Sequence, residues 1–180
     1  MLLWFVGGSW VAVWAVLQDP AVDYRLVMLG ALLPDVIDAP FGGIRYAHTL
    51  VASAAVLAVV MVATVGRRRL RRRLLGVPIG MLVHLVLDGV WTDARVFWWP
   101  FRGWSLATAG RLPSLAHPVG VTVAEEIAGA LALVWCWVRF GLADPGRRSR
   151  FLRTGRLAPE LGPRGGTAGL PSPRRRPPRG

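Results

Sequence analysis

The sequence predicts an all-α integral membrane protein, a bundle of four or five transmembrane helices followed by a disordered basic tail. Three observations predict it. The chain is 53% hydrophobic with nine tryptophans in 180 residues, above the apolar share of ordinary soluble domains. Its apolar residues fall in long blocks separated by short polar or basic segments. Its net charge of +12 comes from arginine alone, concentrated in the run RRRLRRR at 67–73 and from Arg139 to the C-terminus. Such runs flanking apolar blocks point to cytoplasmic loops facing anionic membrane lipid, and nucleic acid is the less favoured partner.

Residues 2–17 are continuously apolar and have no basic residue ahead of them, so they read as a retained helix rather than a signal peptide. Residues 24–34 are apolar but short and lie between Pro20 and Pro34. They predict a helix that either spans obliquely or re-enters, with Pro34 disrupting it just before Asp35. Residues 49–65 carry no charge and are rich in small side chains, which favours close helix packing. Residues 76–91 form the next helix and 120–141 the last. The segment 92–119 between them is a loop whose Trp98, Trp99 and Trp104 suit a membrane–water interface. Residues 1–141 therefore form one membrane-embedded domain. Residues 142–180, rich in Arg, Pro and Gly, form the cytoplasmic tail, expected to be disordered. Cys136 is single and cannot form an internal disulfide; a small buried residue is the simplest reading.

The arginine runs set a topology. With 67–73 and the tail both cytoplasmic, Asp35, Asp38, His48, His84, Asp88, Glu125 and Glu126 all fall near the extracytoplasmic face of a multi-pass protein of the inner or plasma membrane. Ionisable groups are costly to desolvate in apolar sequence and are usually paired, metal-bound or functional. His84 and Asp88, four apart, share one helix face; they can grip a metal together, or the aspartate can orient the imidazole. Asp35 and Asp38 at a helix break offer a ligand or a base. Imidazole with carboxylate suits a divalent metal, zinc first, with manganese or iron as alternatives. A carboxylate outside the coordination sphere can serve as general base. Asp38 and Glu126 are the candidates for catalytic carboxylates, Glu126 because only one of Glu125 and Glu126 can face the bundle.

Plainer readings stand beside these. Either histidine alone is more often a hydrogen-bonded structural residue. Glu125 and Glu126 suit a helix N-terminus. Asp19 and Asp23 read as caps or interfacial charges and Asp93 as a turn residue. His117, Arg45, Arg95 and Arg102 read as interfacial.

The segments GALLPDVID (30–38), AHTL (47–50) and GMLVHLVLDGVWTD (80–93), followed by WWPF (98–101), resemble the YdjM-like inner-membrane metal-dependent hydrolases. Their motif order is also similar to that of zinc-dependent phospholipase C. The resemblance covers roughly residues 1–141. It implies a metal site made by Asp35, His48, His84 and Asp88 with Asp38 nearby, and hydrolysis of a phospholipid or other phosphoester near the outer face. Such proteins often carry a histidine in the first helix, where this chain has Trp4, Phe5 and Trp10. Two other functions fit the same residues: a non-catalytic protein whose Asp/His cluster is a structural polar network, and a small transporter relaying protons.

Overall fold

A computed structural model describes residues 1–41, 46–104 and 118–161, and among them the chain is helical with no strand. The helices are α1 (Leu2–Leu17), α2 (Tyr24–Asp38), α3 (Leu50–Ala63), α4 (Arg68–Leu74), α5 (Gly76–Leu87), the single turn α6 (Ala94–Phe97), α7 (Val119–Arg139) and α8 (Pro145–Thr154). Arg45, His117 and the tail from residue 162 lie outside the described residues.

Glycines set how the bundle closes. A Cβ at Gly30 would collide with the Val77 carbonyl, and one at Gly80 with the Val27 carbonyl. The backbones of α2 and α5 therefore meet directly, as small residues allow. Gly76 lies against Asp23 and Leu26 near the start of α2, so the two helices run in parallel and the last turn of each reaches the same end. Gly7 and Gly129 bring α1 and α7 together in the same way. One end of the bundle thus gathers the C-terminus of α2, the N-terminus of α3 and the C-terminus of α5. The other end carries α4 and α8.

Helices α3 and α7 leave most of their apolar side chains exposed, while several polar side chains are buried among the apolar core. In α7 only Gly129 and Cys136 are buried, and in α3 only Ser53. Val59, Val62, Leu131 and Val138 are exposed, whereas Ser9, Thr49, Thr64, His48 and His84 are buried. Helix α7, 21 residues long, is apolar and long enough to cross a membrane, since at ~1.5 Å per residue it is about 31 Å long. The apolar helices α1 and α3, with 16 and 14 residues, are shorter.

Three segments depart from the sequence reading. Helix α2 does not break at Pro34 but continues to Asp38 with Pro34 buried inside it. The proline lacks an N–H for the i−4 carbonyl, and close packing on α5 holds the turn together. The arginine run at 68–74 is a helix rather than a loop. Disorder after residue 142 is also incorrect for its first part. Asp144 accepts a hydrogen bond from the Arg147 N–H at 2.7 Å and Pro145 opens α8, the cap-then-proline arrangement of a helix start. Phe151 then stacks on Trp10, ring centroids 4.8 Å apart and planes 2° from parallel. Leu157 joins the same core.

Candidate metal centre

The i, i+3 spacing of Asp35 and Asp38 places both carboxylates on the last turn of α2, where they take the two nitrogens of one imidazole. Residues Tyr46–His48 form a 3-10 turn that delivers His48 between them. Its Nδ1 lies 2.7 Å from Asp38 Oδ2 and its Nε2 lies 3.3 Å from Asp35 Oδ1. The other Asp38 oxygen, Oδ1, accepts the Ala47 N–H at 3.3 Å. Thr49 then starts α3, its Oγ1 accepting the Ala52 N–H at 3.1 Å, and this cap fixes where the His48 turn ends.

His84 comes from the last turn of α5 and is fully buried. Its Nδ1 lies 2.6 Å from the Ala31 carbonyl. The Ala31 carbonyl only accepts, so His84 carries its proton on Nδ1, and the nearer of the two carboxylates facing His48, Asp38 at 2.7 Å against Asp35 at 3.3 Å, favours a proton on its Nδ1 too. Both Nε2 atoms therefore face inward, 3.3 Å from each other, with Asp35 Oδ1 3.7 Å from that of His84. Two imidazole lone pairs and a carboxylate oxygen so placed repel unless a cation or a proton sits among them. Of the two rings, His48 is the one whose surroundings favour the extra proton. Burial opposes the charged ring, but hydrogen bonds to Asp35 and Asp38 and the charge of both carboxylates outweigh it, pushing His48 up to about 9.

Asp35, His48 and His84 lie close enough to hold a metal ion, with all three ligand atoms within 4.8 Å of one another. The fit is closer than that bound requires. A tetrahedral ion with ligands at about 2.0–2.1 Å places neighbouring donors roughly 3.3–3.4 Å apart, and the observed separations are 3.3, 3.3 and 3.7 Å. The Nδ1–H···carboxylate and Nδ1–H···carbonyl bonds are the outer-shell contacts that orient metal-bound histidines. The identity of the metal does not follow from this donor set, which suits zinc, iron or manganese.

The other predicted residues take different places. Asp88 caps the C-terminal end of α5 one turn beyond His84 and is 4% exposed, but its carboxylate is not part of the three-residue group. Asp38 has one oxygen on His48 and the other on Ala47, so it orients the His48 ring. Glu126 meets the start of α1: its Oε2 accepts the Leu3 N–H at 3.0 Å and its Oε1 lies 3.6 Å from the Met1 amino nitrogen. Expected as a catalytic carboxylate, it lies outside the three-residue group. Asp93 caps α6 by accepting the Arg95 N–H at 2.9 Å, as a turn residue should. Asp23, read as a cap or an interfacial charge, stands at the N-cap position of α2 with its side chain buried, at the opposite end of the bundle.

Two contributors were missed in the sequence. The Ala31 carbonyl has no side-chain signature. Phe5 lies against the His84 ring with centroids 4.1 Å apart, so an aromatic wall stands on the α1 side of the site. Comparison with protein-family models, curated proteins and solved structures finds no match to this chain.

Proposed function

We propose that this chain is a multi-pass membrane protein whose Asp35, His48 and His84 hold one divalent metal ion for hydrolysis of a phosphoester. The observation that carries the metal is the convergence of two Nε2 atoms and one carboxylate oxygen at tetrahedral spacing, with both Nδ1 atoms tied elsewhere. Three protein ligands leave a position open, the pattern of catalytic rather than structural sites. A metal bound there would lower the pKa of a coordinated water to about 7.

The chain's own residues supply the rest. Asp38 holds His48 in its ligating tautomer, and the Ala31 carbonyl does the same for His84. Phe5 excludes water from the α1 side, and its place in the first helix supports a site for one metal rather than two. Approach is past Asp35, whose side chain is 27% exposed while both imidazoles are fully covered. The membrane setting is supported by the exposed apolar faces of α3 and α7 and by the length of α7.

The phosphoester, including a phospholipid, is read from the motif resemblance and from the chemistry of an open metal site near the end of a membrane bundle. Hydrolysis of a chromogenic phosphodiester and of short-chain phospholipids by detergent-purified protein tests it. Turnover should be lost with chelator, restored by zinc, manganese or iron, and absent in His84→Ala. Metal-loaded protein inert on every phosphoester would remove the hydrolase assignment while leaving the metal site.

A further inference from the structure

The end of the bundle opposite the metal centre is built around a buried carboxylate. Asp23 has a side chain with no exposure, and its oxygens lie 2.9 Å from Arg73 Nε and 3.3 Å from Arg25 Nε. Arg73 belongs to the last turn of α4, so this pair fastens α4 to the start of α2. The same corner receives α8. The Tyr24 N–H donates to the Gly155 carbonyl at 2.9 Å, the Leu157 N–H to the Pro20 carbonyl at 3.0 Å, and Arg25 Nη1 to the Leu152 carbonyl. Phe151 on Trp10 anchors the inner face of α8. Helices α4 and α8 are thus held to one corner rather than left as independent basic segments.

Their outward faces are almost wholly arginine. No residue of α4 is buried, and Arg147, Arg148, Arg150 and Arg153 of α8 are exposed around the single buried Phe151. Among the described residues every arginine except Arg95 and Arg102 lies at this end, against Asp19, Asp23, Asp144 and Glu160. Asp23 is consumed internally, Asp144 caps α8, and Asp19 lies 3.7 Å from Arg72. The exposed Leu152 sits between the arginines, giving α8 an apolar point among cations, as in helices that lie in a headgroup layer.

We propose that α4 and α8 form one cationic platform that binds the phosphate headgroups of anionic lipids in the leaflet around this end of the bundle. This rests on the membrane-embedded reading above. Anionic lipid is favoured over nucleic acid because the platform closes the end of a bundle whose sides are apolar, so headgroups surround it at contact distance. Guanidinium groups match phosphate oxygens bidentately. An arginine held near an anionic leaflet is worth about fivefold in binding, so removing four should weaken headgroup binding by at least tenfold after screening.

The test uses the full chain in neutral detergent micelles doped with short-chain phosphatidylglycerol or, separately, phosphatidylcholine. Binding is read from the thermal midpoint as a function of lipid. Phosphatidylglycerol should raise the midpoint, with a salt-sensitive half-saturation, and phosphatidylcholine should not. The combined variant Arg147→Gln, Arg148→Gln, Arg150→Gln, Arg153→Gln should need at least tenfold more phosphatidylglycerol while keeping its midpoint in neutral micelles. If that variant does not fold, the salt dependence and lipid preference of the wild type decide the matter. Equal responses to the two lipids, an unchanged half-saturation in the variant, or tighter binding of a single-stranded DNA oligomer than of phosphatidylglycerol would overturn the platform. A protein that stays soluble and monodisperse without detergent would instead overturn the membrane reading.

Discussion

Replacing Asp38 with asparagine separates an orienting carboxylate from a metal ligand or a base. In the native site one oxygen accepts the His48 Nδ1–H at 2.7 Å and the other accepts the Ala47 N–H at 3.3 Å. Asparagine offers one carbonyl oxygen and one NH2, so one of these two donors must face another donor. A buried donor left without a partner costs about 1–3 kcal/mol. If the carbonyl stays with His48, the ring keeps its tautomer but loses a charged acceptor. If it turns to Ala47, the ring is released. Loss of such an outer-shell partner lowers metal affinity by roughly 10–100-fold, which is about 1.4–2.7 kcal/mol. The assay is competition for zinc between the detergent-purified protein and a chromophoric chelator. Asp38→Asn should bind one zinc with affinity reduced in that range, whereas His84→Ala should lose stoichiometric binding. Unchanged zinc affinity in Asp38→Asn would refute the reasoning, and so would a loss as complete as that of His84→Ala.

Four further outcomes follow from the same geometry. The His48 proton, held with a value of about 9 against an ordinary 6.5, stabilises the metal-free protein fully below pH 6.5, and this contribution disappears as pH rises through 9. Metal must displace that proton, so zinc affinity in a pH titration should climb with pH and level off near 9. Gly80→Ala should destabilise by about 1–3 kcal/mol through the clash with the Val27 carbonyl and should also weaken zinc binding, whereas Gly120→Ala, with nothing within 4 Å of its new Cβ, should leave both the melting curve and the zinc titration unchanged. Phe151→Ala should cost about 3 kcal/mol in denaturant unfolding by removing the ring stacked on Trp10, with zinc still bound at one equivalent. Glu126→Gln should keep its zinc and its metal-dependent turnover, because that carboxylate serves the start of α1.

Much of the helical layout was legible because continuous apolar blocks are a strong signal. The first helix spans residues 2–17 as read, and the last runs 119–139 against an expected 120–141. The convergence of Asp35, His48 and His84 was legible for a different reason: charged residues in apolar sequence are costly, and the arginine runs placed them at one end. What each residue does there was not legible. Spacing alone could not say that Asp38 would take Nδ1 of His48, because this depends on a 3-10 turn at 46–48 whose sequence carries no periodic signal. It also could not supply the Ala31 carbonyl, since a backbone acceptor is chosen by the close α2–α5 approach that Gly30 and Gly80 permit. Helix α2 was misjudged at Pro34 because local propensity was outweighed by tertiary packing. The first part of the tail, up to residue 161, was misjudged because its Arg, Pro and Gly content masked a short helix start at Asp144-Pro145 and two buried anchors, Phe151 and Leu157.

Metal analysis of the detergent-purified protein tests the central claim most directly. The account predicts about one equivalent of a divalent metal in the wild type, retained in Glu126→Gln and lost in His84→Ala and Asp35→Ala, with both of the depleted variants still folded by circular dichroism. Wild-type protein that binds no divalent metal after reconstitution, or metal retained at one equivalent in His84→Ala and Asp35→Ala, would contradict it.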